Sequence, residues 1–285
     1  MINFYLPDFY EQFKLNYSLI LLLREHPEYF IDGLRAGAVY GSYPGAIWNG
    51  GRLYYGSTSN DNIINTTAAF NELDVPLRFT FTNNQLLPRH FYDNYCNLIM
   101  ELCNNDMNEV LVNDIGLENY IRMNYPNYKI IASTTKCERN IEEINKFTKR
   151  YNLVVLDYND NHNEEFLNKI NDVNKIELLI NAYCYPNCQH RKEHYTQLSK
   201  DQLNYSCGAT FQCDAMKHGF YDILDFPTII TPQQIQEYYI PKGFQHFKIE
   251  GRTLHPVDIL ESYIYYLVKD EYKDKVRYKL LKEIW

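Results

Sequence analysis

From residue 76 onward the chain alternates between short apolar runs and longer amphipathic stretches. The runs at 77–82, 109–113, 129–133, 153–157 and 176–180 are rich in Val, Ile, Leu and Phe and have the length of buried strands. The segments between them carry apolar residues three or four apart, as at Phe91, Tyr95, Leu98, Ile99 and Leu102, which is the period of a helix. A strand every twenty to thirty residues with a helix between predicts βαβ units and a parallel sheet. Further strands are predicted at 227–230 and 244–250, followed by an apolar-rich helix over 256–267. Taking 36–40 as the first strand brings the total to eight, the number that closes a (β/α)8 TIM-like barrel. Tyr10, Phe13, Tyr17 and Ile20 recur at helical spacing. Residues 1–30 therefore read as an N-terminal helical extension, and 31–285 as the barrel with its C-terminal helix, all in a single domain.

In a barrel the C-terminal ends of all strands converge on one mouth, so polar residues that end each run line one site. Here these are Asn83, Asp114, Ser133, Thr134, Asp157, Asn181, Thr231, Lys248, Glu250 and Arg252. Asn, Asp, Ser and Thr are also the preferred helix caps, and Ser133, Thr134 and Asp157 taken singly read that way. The densest chemistry follows the run at 176–180, where Cys184, Cys188, Arg191 and His194 lie close together, with Cys207 and Cys213 after them. Four thiols in so short a stretch suit a [4Fe–4S] cluster or, alternatively, zinc, because soft thiolates select these over hard cations. The CxxC pairs of a zinc ribbon are absent, and the CxxxCxxC run of radical enzymes would need a cysteine where Arg191 stands. Cys96, Cys103 and Cys137 read as ordinary buried thiols.

Arg191 and Arg252 suit a carboxylate or phosphate, which their planar forks bind bidentately. His194 titrates near neutrality and suits an acid or base role, or is a plain surface histidine. Lys248 and Glu250 alternate with Phe247 and Ile249, so they point the same way off one strand, as an internal ion pair or a substrate clamp. The Gly/Pro-rich stretch before Arg52 lets Trp48 and Arg52 approach a ligand, or is a turn between elements.

Composition narrows the partners. An apolar share of 45% supports a large core, and the net charge of −8 disfavours a large RNA, whose binding depends on Lys and Arg neutralising phosphates. The abundance of Tyr and Asn is read as codon bias, not as a base-stacking surface. Seven cysteines without a secretory signal point to a reducing, cytoplasmic setting. The greasiest run, Ser18-Leu-Ile-Leu-Leu-Leu-Arg24, is too short to span a bilayer, so no membrane association is expected.

Phe247-Lys-Ile-Glu-Gly-Arg252 resembles the FKIEGR signature of the U32 peptidase (collagenase-like) family. Asn113-Asp-Ile-Gly-Leu117 and Ile131-Ala-Ser-Thr134 resemble that family's SDLG and HAST segments on consecutive strands, and the likeness extends over residues 77–267. The resemblance implies a TIM-like barrel. It also implies relatives that modify tRNA, ribosomal RNA or ubiquinone precursors without oxygen, several of them holding a [4Fe–4S] cluster on four cysteines. The expectation is an iron–sulfur-dependent oxidoreductase that modifies a small anionic molecule or peptide by oxygen-independent hydroxylation or related chemistry. His194, Lys248 and Glu250 are its candidate catalytic residues. Trp48, Asn83, Asp114, Arg191 and Arg252 are expected to bind substrate, and Cys184, Cys188, Cys207 and Cys213 to bind metal. One alternative is a U32-type peptidase, for which HExxH, a nucleophile elbow and paired carboxylates are all missing. The other is a non-catalytic cluster-holding subunit paired with a U32-like partner.

Overall fold

Eight strands form the frame of the computed structural model, which describes residues 1–206 and 218–284. They are β1 (Ile2–Pro7), β2 (Leu34–Gly41), β3 (Leu77–Phe81), β4 (Glu109–Val112), β5 (Lys129–Ala132), β6 (Leu153–Val155), β7 (Ile176–Leu179) and β8 (His246–Lys248). All neighbours are parallel in sequence order, and β8 pairs back onto β1 through Phe4 and Phe247, which closes the barrel. Side chains alternate across each strand. Phe4, Leu6, Phe79, Phe81, Val110, Val112 and Phe247 face outward into the main core. Tyr5, Ala38, Tyr40, Leu111, Ile131, Leu153 and Val155 pack together inside the ring.

Helices follow the strands as α1 (Phe13–Glu25), α2 (Asn60–Asn71), α3 (Asn94–Leu102), α4 (Ile115–Asn124), α5 (Ile141–Arg150), α6 (Glu164–Leu167) and α7 (Arg191–Asn204). A short helical segment at Pro232–Gln234, continued by a wider turn at Ile235–Tyr239, and the helices Pro256–Leu267 and Lys273–Ile284 follow. Most starts are capped by a polar side chain: Asp93 accepts from Cys96 N, Asp114 from Leu117 N, and Asn140 from Glu142 N and Glu143 N. Among the described residues no helix is long and apolar enough to cross a membrane.

Two expected elements change. The N-terminal helical extension is not formed, because Ile2–Pro7 is the first barrel strand and Phe13–Glu25 its crossover helix. The aromatic spacing at Tyr10, Phe13 and Tyr17 masks the period of two in Asn3-Phe4-Tyr5-Leu6, where Tyr5 points inward and its neighbours outward. The run at 227–230 is not a strand. Ile229 and Ile230 are buried, but the run makes a single ladder-like bond, from Ile230 N to Ile180 O at 2.9 Å just past β7, and is otherwise joined to β7 by the Asn161 amide, which donates to Leu179 O and Thr228 O. Eight strands remain, with a different membership.

Candidate active site at the barrel mouth

The inside of the barrel carries charge where its strands are otherwise apolar. Arg78 on β3 is wholly buried, donating from Nε to Glu109 Oε2 at 2.7 Å and from Nη1 to Glu177 Oε2 at 2.5 Å. Its guanidinium lies 4.0 Å from the centre of the Tyr5 ring. Glu177 continues the chain of charges upward, its Oε1 standing 3.8 Å from Lys248 Nζ. A buried charge costs several kcal/mol unless paired, so each group here is retained by its neighbour. Lys248 sits at the top, 3.8 Å from the Tyr40 ring centre, and Tyr40 is pinned by donating its hydroxyl proton to Ile249 O at 2.6 Å. Burial pushes the Lys248 pKa down to about 7, with Arg78 and Arg252 acting the same way and Glu177 opposing.

Lys248 forms part of the wall of an open cleft at the C-terminal ends of the strands. Of the residues singled out from the sequence, Arg52, Ser133, Thr134, Cys184, Arg191, His194, Lys248, Glu250 and Arg252 line it. Asn181 fastens the backbone of Glu250 on both sides, accepting from Glu250 N at 2.6 Å and donating to Glu250 O at 3.0 Å. The Glu250 carboxylate accepts from Tyr183 N at 3.0 Å and pairs through its other oxygen with Arg52.

The two arginines expected to grip an anion are occupied by the protein. Arg191 donates to Asp157 Oδ2, Thr134 Oγ1 and Tyr195 Oη, and lies 4.3 Å from the Tyr158 ring centre. Arg252 donates to Asn49 Oδ1 at 2.9 Å, Thr80 Oγ1 at 2.7 Å and Gly50 O at 2.8 Å. Among the described residues Arg252 has no ion-pair partner, and burial together with the nearby Arg52 charge lowers its pKa. Arg52 keeps its Nε–H without a hydrogen-bond partner. His194, on α7, has its pKa lowered by burial and by Arg52.

Three expected substrate contacts lie elsewhere. Trp48 is buried against Phe81 and Tyr120 and donates to His90 O, so it is part of the packing. Asn83 ties the loop after β2 to α7 through Ile47 O and Ser199 O. Asp114 is a helix cap. What sequence reasoning missed is the interior set Arg78, Glu109 and Glu177. A charged residue inside each of three apolar runs was the available signal, since such residues are almost never buried unless paired.

Of the four proposed metal-binding thiols, Cys207 and Cys213 lie outside the described residues. Cys184 is in the cleft wall beside Tyr158, and burial raises its pKa to about 11, with Cys188 close enough to act on it. Among the described residues no three potential ligands gather. The described pair is a soft donor set suited to iron–sulfur or zinc, and it supplies half of the expected ligands.

No protein-family model and no curated protein matches this chain. A solved structure described as that of the U32 peptidase Mk0906 aligns with a TM-score of 0.54 at 11% identity, covering 88% of this chain and 94% of its own. What the two share is the fold. The chain has a U32-like barrel, with its cleft at the end where TIM barrels place their chemistry.

Proposed function

We propose that the chain is a hydrolytic enzyme of the U32 peptidase type, acting at the barrel mouth on a peptide or a small anionic molecule, with Lys248 as its acid–base group. The supporting observation is the placement of the Lys248 amine, enclosed by the interior charges below and open to the cleft above. An amine that loses its proton near neutrality matches the operating pH of a general base. In its neutral form Lys248 takes a proton from water as the oxygen adds to the amide carbonyl carbon. The resulting ammonium returns that proton to the leaving nitrogen as the C–N bond breaks, giving an acid and an amine. Glu250 holds Arg52 beside the site and is a positioning residue. The aligned barrel described as a U32 peptidase agrees with this reaction class.

The test is incubation of the full chain with a defined peptide mixture in 18O-labelled water, read by mass spectrometry. New termini carrying one 18O are expected, with a rate that rises through about pH 7 and is lost in Lys248→Met. Absence of cleavage, or cleavage unchanged in Lys248→Met, refutes the assignment.

The position of Cys184 in the cleft wall favours a second reading, in which Cys184 and Cys188 with Cys207 and Cys213 hold a [4Fe–4S] cluster or zinc. A cluster there would supply one-electron transfer beside the substrate. Anaerobic purification followed by iron, sulfide and zinc analysis decides it, and a colourless, metal-free protein removes this reading.

A further inference from the structure

We propose that the corner of the mouth between Gly51 and Thr82 seats one oxyanion of the substrate, a carboxylate or a phosphate, with the Thr82 hydroxyl and the Arg52 Nε–H as its donors. The proposal rests on the mouth being the active site and adds which part of the substrate enters where.

Both donors line the cleft, and neither has a hydrogen-bond partner among the described residues. Thr82 is only 3% exposed, so its idle hydroxyl is not satisfied by bulk water. Leaving such a group unpaired is costly, and a bound acceptor would remove that cost. The space beside the Thr82 hydroxyl is kept open by glycine. Gly51 has a φ of +75°, and a Cβ there would stand 3.3 Å from Arg252 Nη2, 3.6 Å from Thr135 Cγ2 and 3.9 Å from Thr82 Oγ1. A side chain would fill the cradle that these three atoms form.

Charge selects the ligand. Arg252 is buried and bonded solely to neutral oxygens, two of which, Asn49 Oδ1 and Gly50 O, belong to the loop that carries Arg52. Arg52 is balanced by Glu250 on one edge, while Arg252 is balanced by no carboxylate in hydrogen-bond contact. Asp8 and Glu250 act on Arg252 only through their fields, without a hydrogen bond, so an anion in the cradle would give it a direct counter-charge. The loop is also fixed in advance: Gly50 N donates to Thr80 O and Asn83 N to Trp48 O, and at Gly50 a Cβ would come 2.5 Å from the Thr82 carbonyl carbon. Donors held this rigidly need no reorganisation when the ligand arrives.

Isothermal titration of the full chain with inorganic phosphate and, separately, with succinate tests the seat and separates the two anion chemistries. One-to-one binding of one of them is expected. Thr82→Val should weaken it about tenfold or more, the effect of losing a hydrogen bond to a charged group, and Thr82→Ser should restore it. Arg52→Lys keeps a cation for Glu250 but lacks the Nε–H donor, and should also weaken binding, which guards against a folding defect in Thr82→Val. No binding of either anion to the wild type, or equal binding by wild type, Thr82→Val and Arg52→Lys, overturns the seat. Because this readout needs no turnover, it is independent of the peptide-cleavage assay. Anion binding without cleavage refutes the hydrolase and leaves the seat, and cleavage without anion binding does the reverse.

Discussion

Arg191 and Arg52 line the same mouth and do different work. Arg191 is anchored to the ends of β5 and β6, where Thr134 and Asp157 take both of its terminal nitrogens while Tyr195 accepts from Nε. Its side chain is 6% exposed, and its Asp157 partner 2%. Arg52, in the loop after β2, is tied to Glu250 after β8 and to Gly51 O, and its Nε–H is buried with no hydrogen-bond partner among the described residues. The first arginine is a brace between strand ends. The second is a brace with one donor to spare, and that spare donor is what a ligand can use. Counting cations in a mouth therefore says less about binding than counting donors that the scaffold has left free.

The comparison breaks hardest at the Arg191 brace. Arg191→Met leaves Asp157 buried without its counter-ion and should lower unfolding stability by about 3–5 kcal/mol, measured by urea denaturation. Adding Asp157→Asn in the same chain should recover a large part of that loss, whereas a brace of no consequence would show neither effect. The interior charges offer a sharper, pH-dependent contrast. Burial holds the Lys248 pKa near 7, against about 10.4 for an unfolded lysine, so between those values the unfolded chain binds more protons than the folded one. The penalty from Lys248 is full below about pH 7 and is relieved as pH rises toward 10.4. The stability of the wild type relative to Lys248→Met should accordingly climb by up to roughly 1.4 kcal/mol per pH unit across that window. A flat difference between pH 6.5 and 9.5 would contradict the burial of the ammonium. The smallest effect belongs to a strand-end residue outside the cleft. Asp114→Ala should cost about 1 kcal/mol through loss of the α4 cap and leave phosphate and succinate binding untouched, as calorimetry would show.

Much of the frame was legible because buried parallel strands and amphipathic helices write different periods into the chain. The runs beginning at Leu77, Glu109, Lys129, Leu153 and Ile176 became β3 to β7 for that reason. The first strand was hidden by aromatic residues that continue into α1, and the run around Ile229 shows that a buried apolar stretch becomes a strand only where a neighbour offers a ladder. At the mouth, alternation along Phe247–Glu250 correctly set Lys248 and Glu250 on one side, and both line the cleft. The idle donors Thr82 Oγ1 and Arg52 Nε could not be read that way, because a residue's type does not say whether its hydrogen-bonding capacity is already used.

The order of runs and periods by itself determined seven of the eight parallel strands and which of their ends carry polar side chains, since both follow from local alternation. Only the closed ring decided which charges meet. Arg78 reaches Glu177 across 99 positions and Arg52 reaches Glu250 across 198, contacts that arise solely because the ring brings β8 back beside β1. Pairing, burial and the donors left over are properties of that closure, and they decide what the mouth can bind.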